Sequence, residues 1–135
     1  MSQPRHQIAV IGAGVFGAWI AWHLASAGKR VLLVDQYGPA STRASSGGES
    51  RVMRMAYGAD AIYTLMAQRS LARWLSLFQQ IGRPELFAST GVLWMALRGN
   101  LAAEQSLNAL TDAGIEHQVL DAAALRMRYP QIVVP

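Results

Sequence analysis

Residues 8–35, IAVIGAGVFGAWIAWHLASAGKRVLLVD, read as a strand, a glycine turn, a helix and a second strand closed by an acid. Ile8 to Ile11 form a short apolar run of the kind buried in a parallel sheet. Gly12 permits a sharp turn out of that strand, Gly14 leaves room for a pyrophosphate against bare backbone, and Gly17 lets the helix pack close to the sheet. The start of the helix presents free N–H groups and the positive end of its dipole. Ala21, Leu24 and Ala25 continue its apolar contact, and Gly28 stands where a left-handed cap should end it. Val31 to Val34 make the second buried strand. Asp35 falls at its carboxyl end, eighteen residues beyond Gly17, where a carboxylate can accept both hydroxyls of an adenosine ribose.

A lone GxGxxG is a weak signal, because glycines in an ordinary βαβ unit also serve packing alone. Here the strand before it, the helix after it and the acid at the right distance all point to a dinucleotide lying across the turn. The charge of Asp35 would repel a ribose 2′-phosphate, which argues against NADP. It does not separate FAD from NAD.

At 135 residues the chain has the length of one domain. The formal charge of +4 rests on eleven arginines and one lysine, with no block of like charges marking a nucleic-acid-binding tail. Arginine serves anionic small molecules equally well through its planar fork. There is no cysteine, so disulfides and cysteine-based metal or redox chemistry are excluded. His6, His23 and His117 show no ligand spacing, and no metal site is expected. The opening MSQPRHQ is too short and polar for a signal peptide, and the apolar runs are interrupted by glycine and charge. The expectation is a cytoplasmic protein with neither a membrane nor a nucleic-acid partner.

After Asp35 the chain departs from a nicotinamide pattern, in which a second helix and a third apolar strand should follow. Gln36 to Ser50 is instead a polar loop of small residues, placed to wrap a ligand. Ser46 and Glu49 have the spacing of a capping box, which predicts a helix from about Gly47 to Tyr57. Arg51 and Arg54 would then share one helix face, able to orient a carboxylate or stabilise negative charge. Spacing alone favours the blander case of two solvated arginines.

From Ile62 to Ile81 an apolar stripe through Ile62, Leu65, Met66, Leu71, Trp74, Leu75 and Phe78 predicts a helix with its aromatics in the core. Gly82, Arg83 and Pro84 break it. Phe87 to Leu97 reads as a strand with a bulge at Gly91, Leu101 to Ala113 as a helix ending at Gly114, and His117 to Leu120 as a short strand. Asp121 is an N-cap for a last helix through Arg128, which Pro130 ends before an unpartnered apolar IVVP.

The glycine turn with Asp35, the segment SSGGESRVMRMAYG from Ser45 to Gly58, the STGVLWM strand and the closing RMRYPQIVVP together resemble the amino-terminal third of the sarcosine oxidase and N-methyltryptophan oxidase group, FAD-dependent oxidoreductases of the D-amino-acid oxidase type. The resemblance spans essentially the whole chain in the same order. It implies an α/β fold: a Rossmann-like FAD-binding βαβ unit followed by the start of a mixed α+β substrate domain, incomplete. Residues 1–87 would form the first part of the FAD-binding domain and 88–135 the beginning of the substrate domain.

The same resemblance implies oxidation of the C–N bond of a secondary amine or N-methyl amino acid, with oxygen as acceptor and hydrogen peroxide as product. Gly12, Gly14 and Gly17 would hold the FAD pyrophosphate and Asp35 the adenosine ribose. Ser45, Ser46 and Arg51 would lie along the flavin side, with Arg51 near the ring, and Arg54 would meet the substrate carboxylate. The group often has a histidine near the loop glycine, where this chain has Gly47. Its cysteine for covalent flavin attachment and its lysine at the oxygen-reaction site lie beyond the residues present, so an inactive fragment of a longer enzyme is expected. An NAD-dependent dehydrogenase and a non-catalytic dinucleotide-binding module are the alternatives.

Overall fold

A computed structural model describes residues 5–133. The first residues of MSQPRHQ and the end of IVVP, on which two of the readings above fall in part, lie outside the described residues. The chain is α/β, with a small parallel sheet and helices, and it divides into two compact units between Arg51 and Val52.

The first unit holds β1 (Ile8–Ile11), α1 (Val15–Ser26) and β2 (Val31–Val34). The two strands pair in parallel, Ile8 opposite Val31 and Ile11 opposite Val34, and the Gly12 N–H extends the ladder by donating to the Val34 carbonyl at 2.7 Å. A parallel pair needs a crossover, and α1 supplies it while packing on both strands. The closeness of that packing is set by Gly17: a Cβ there would fall on the Gly12 carbonyl, at 2.9 Å from its carbon. At the other end Gly28, with φ +76°, closes the helix in the expected left-handed cap. Its N–H donates to the Ala25 carbonyl at 2.9 Å and that of Lys29 to Leu24 at 3.0 Å, the bond pair of a Schellman motif. Val10 is buried, but Leu32, Leu33 and Val34 are 40 to 45% exposed and Ile11 88%. Strands of a parallel sheet are ordinarily covered on both faces, so this pair presents apolar surface that wants a neighbour.

The second unit holds α2 (Ala61–Gln80), a 3₁₀ turn (Pro84–Leu86), α3 (Leu101–Asp112) and α4 (Ala122–Arg128), with α2 packed on α3. Asp121 caps α4 as expected, its Oδ1 accepting from the Ala124 N–H at 2.8 Å, and Asn100 caps α3 through Oδ1 from Ala103 N–H at 3.0 Å. Gly82 and Gly114 end α2 and α3 with the same bond pattern as Gly28.

Four sequence expectations are corrected. Residues 47–57 form no helix: Ser46, expected to cap one, instead uses its hydroxyl to accept from the Val15 N–H at the start of α1. Phe87 to Leu97 and His117 to Leu120 form no strands, because a strand exists only by pairing and no described residue pairs with either. Gly91 keeps a left-handed φ of +70°, without a ladder to bulge from. Trp74 and Phe78 of α2 are half-buried rather than core, their rings tilted against each other with centroids 5.4 Å apart. The inward face of α2 runs through Thr64, Ala67, Leu71, Trp74 and Phe78, while Ile62, Leu65 and Met66 are exposed. Its first inward position is a polar residue, which an apolar stripe could not reveal.

Candidate dinucleotide site

The carboxyl ends of β1 and β2 and the loop after β2 enclose a groove of ≈ 640 Å³, a volume in the range of small-molecule sites. Gly12, Gly14, Asp35, Ser45 and Ser46 all line it. Five of the residues singled out in the sequence are thus brought to one place by the βαβ geometry.

Asp35 organises the groove. Its Oδ2 accepts from the Ala13 N–H at 2.7 Å and its Oδ1 from the Tyr37 N–H at 2.8 Å, so the carboxylate ties the glycine turn after β1 to the chain leaving β2. These bonds favour the ionised form and hold the pKa below the ordinary carboxylate value, the Ala13 N–H contributing most and Tyr37 next. A carboxylate offers about four lone-pair sites. The backbone N–H groups of Ala13 and Tyr37, with Gly38 contributing less, engage part of that capacity, and the remainder is open to a ribose hydroxyl.

The glycines divide their roles. Gly12 has φ +96°, a left-handed conformation that makes the turn. Gly17 is required by the close approach of helix and turn already described. Gly14 is different: a Cβ there would lie 3.6 Å from Ser46 Oγ and 3.9 Å from Ala44 Cβ, ordinary contact distances. Folding therefore tolerates a side chain at Gly14, and its bareness serves the groove, where a Cβ would occupy ligand space beside the start of α1. No acidic residue stands in the first turn of that helix to compete for an anion. A diphosphate fits these features: unhindered backbone at Gly14 and a helix dipole of the right sign.

The loop that closes the groove is held by its own small residues. Ser46 Oγ accepts from Val15 N–H at 3.2 Å, and the Ala44 and Gly47 N–H groups donate to Ser41 and Ala44 carbonyls. Gly47 sits so tightly that a Cβ would be 2.6 Å from the Ser41 carbonyl oxygen, a backbone reason for glycine at that position. Arg51 donates to the Ser50 carbonyl at 2.6 Å and the Ser45 carbonyl at 3.4 Å, its guanidinium lying against Gly48. Sequence reasoning missed Arg43 and Tyr37, which also line the groove, with the Arg43 guanidinium carbon 4.7 Å from the Tyr37 ring centroid. An arginine within a loop already read as ligand-wrapping was the available signal.

Arg54 belongs to the second unit. Its guanidinium carbon lies 5.1 Å from the ring centroid of Tyr57 and 5.3 Å from that of Trp94. No helix carries it; the irregular segment from Met55 to Gly58 is fixed instead by two side-chain hydroxyls. Thr64 Oγ1 donates to the Met55 carbonyl at 2.9 Å, and Ser106 Oγ accepts from the Gly58 N–H at 2.8 Å. Thr64 and Ser106 are the buried polar residues among those described, and both serve this segment.

Among the described residues no three His, Asp or Glu side chains stand together as a metal site, and no helix is long and apolar enough to cross a membrane. Comparison with known proteins gives a family. A model of the FAD dependent oxidoreductase family, DAO, matches residues 7–135. Human peroxisomal sarcosine oxidase is 36% identical over 126 residues, which cover 93% of this chain and 32% of the relative. The monomeric sarcosine oxidase of Streptomyces avermitilis is 33% identical over 129 residues, 96% of this chain and 33% of the relative. The N-methyl-L-tryptophan oxidase of Salmonella arizonae is 28% identical over 131 residues, 97% of this chain and 35% of the relative. The chain thus spans about a third of the length of the curated relatives it matches. With a family match running from residue 7 through the glycine turn, the Asp35 groove and the helical second unit to residue 135, the chain belongs to the FAD dependent oxidoreductases.

Proposed function

We propose that this chain is the amino-terminal portion of a flavoprotein oxidase that breaks the C–N bond of a secondary amine or N-methyl amino acid, passing electrons to oxygen and yielding hydrogen peroxide. The groove around Asp35 carries the cofactor half of that reading. In it, Gly12, Gly14 and Gly17 form a Rossmann-like turn for the FAD pyrophosphate, Asp35 accepts from the adenosine ribose, and Ser45, Ser46 and Arg51 follow the cofactor toward its flavin end. When bound, the flavin supplies the hydride-accepting chemistry. The protein's task is to hold that ring and present the amine to it.

The substrate half rests on Arg54, whose guanidinium offers a planar fork for a carboxylate, and on relatives named for sarcosine and N-methyl-L-tryptophan. The same reading places residues up to about 87 in the FAD-binding domain and 88–135 at the opening of a substrate domain. The exposed faces of β1 and β2 support the reading as a portion of a longer protein, which would cover them.

Purification of the full-length protein tests the proposal directly. It should be yellow, with a flavin absorption spectrum, and should release peroxide on addition of N-methyl amino acids. A colourless protein that takes up no FAD would sink the idea; a flavoprotein that oxidises amines only with an artificial acceptor would retain the cofactor and remove oxygen from the reaction.

A further inference from the structure

Arg54 stands against two aromatic rings. The guanidinium lies within cation–π range of both Tyr57 and Trp94. Among the described residues of this unit no carboxylate pairs with it, the ion pair present being Arg83 with Glu85. A guanidinium that no carboxylate of its own unit engages keeps its planar fork of N–H donors for a bidentate carboxylate from outside.

The two rings are not equivalent. Tyr57 stands three residues from Arg54 on the same segment, between the points where Thr64 and Ser106 anchor the backbone. Its ring also leans on Tyr63, centroids 5.9 Å apart, so its place is fixed by the frame that fixes Arg54 itself. Trp94 comes from forty residues further along the chain and is 48% exposed. An exposed tryptophan with a cation against it contributes little to a core. Its ring lies instead against Arg54.

We propose that Trp94 is a positioning residue for Arg54, holding the guanidinium ready for the carboxylate of the substrate and thereby setting the preference for carboxylate-bearing amines. This rests on the role assigned to Arg54 above. Without the indole the side chain gains rotamer freedom that each binding event must remove, so the loss falls on substrate capture and not on the chemistry of the C–N bond.

The test uses the full-length protein carrying FAD, assayed with an N-methyl amino acid and with a matched secondary amine lacking the carboxylate. Trp94→Leu should raise KM for the amino acid roughly two- to five-fold, the size of an exposed cation–π contact, with kcat nearly unchanged and the plain amine unaffected. Trp94→Tyr and Trp94→Phe should recover most of the loss, in that order. Equal effects on both substrates, or none on either, would overturn the assignment. If Trp94→Leu fails to fold or to retain flavin, the Trp, Tyr and Phe series decides alone, a KM that ignores the order of ring strength counting against it. Arg54→Ala runs in parallel. If it discriminates between the substrates and Trp94→Leu does not, the positioning role fails and the carboxylate site stands; if Arg54→Ala does not discriminate, the carboxylate site fails first.

Discussion

The two units solve the same problem by opposite means. Each holds an irregular stretch of backbone in place, and on the proposed reading that stretch meets a ligand. In the first unit the anchor is a charge at the end of a strand: Asp35 accepts from the N–H groups of Ala13 and Tyr37, in surroundings that stay partly exposed. In the second the anchors are neutral hydroxyls reaching out of helices, Thr64 from α2 and Ser106 from α3, and both are buried. A charged anchor in the open can also bind ligand, because it has lone pairs to spare. A buried hydroxyl is shut away from ligand and serves the backbone it holds; on the proposed reading, recognition then falls to Arg54 beside that segment.

The largest break in this contrast should come from Gly17→Ala. The added Cβ would strike the Gly12 backbone, and forcing extra volume into such a contact costs about 1–3 kcal/mol or more. Thermal unfolding should register that cost, and flavin uptake by the full-length protein should fall with it, whereas a methyl at Gly14 should spare stability and impair FAD binding. A Gly14→Ala protein with normal flavin affinity would remove the pyrophosphate from this turn.

Next in size are the buried hydroxyls. Thr64→Val and Ser106→Ala should each lower stability by about 1–2 kcal/mol in denaturant titrations, since the Met55 carbonyl or the Gly58 N–H is left unpaired away from water. Their effect should extend to KM for carboxylate substrates without touching flavin content. Loss of flavin instead would show that the two anchoring systems are not separate.

Asp35→Asn should weaken FAD binding on the order of ten-fold, as loss of charged hydrogen bonds does. It also predicts a pH signature. Because the folded-state pKa lies below the ordinary value of 3.8, the stabilisation from Asp35 is complete above that value and disappears as pH falls through the folded pKa. Acid titration of the unfolding midpoint should therefore be flatter in the Asn variant below about pH 4. Identical slopes would mean the Ala13 and Tyr37 bonds do not persist in solution. Ser46→Ala, which removes an exposed bond to Val15, should be the mildest change, about 1 kcal/mol or less.

Legibility from sequence followed the range of the interactions. The βαβ unit was readable because strand, turn, helix and acid lie within 28 consecutive residues, and each glycine acts on near neighbours. The ends of α2 and α3 and the Asp121 cap were readable for the same reason. What failed was non-local. Ser46 followed by Glu49 looked like a cap for its own helix, but its hydroxyl serves α1 from thirty-one residues away. STGVLWM has the composition of a strand, yet no composition supplies a pairing partner. Thr64 went unnoticed because a buried threonine is identified only by the carbonyl it meets.

The double engagement of Asp35 has one more consequence, and it is thermodynamic. On the proposed reading, a ribose drawing on this carboxylate acts on the group that ties the end of β1 to the chain leaving β2, which would link ligand occupancy to strand registry. Binding to the paired state alone stabilises it in proportion to the logarithm of free ligand over its dissociation constant. FAD should therefore behave as a folding cofactor of the parallel pair as well as a redox one, with amide exchange along Ile8–Ile11 slowing as flavin concentration rises.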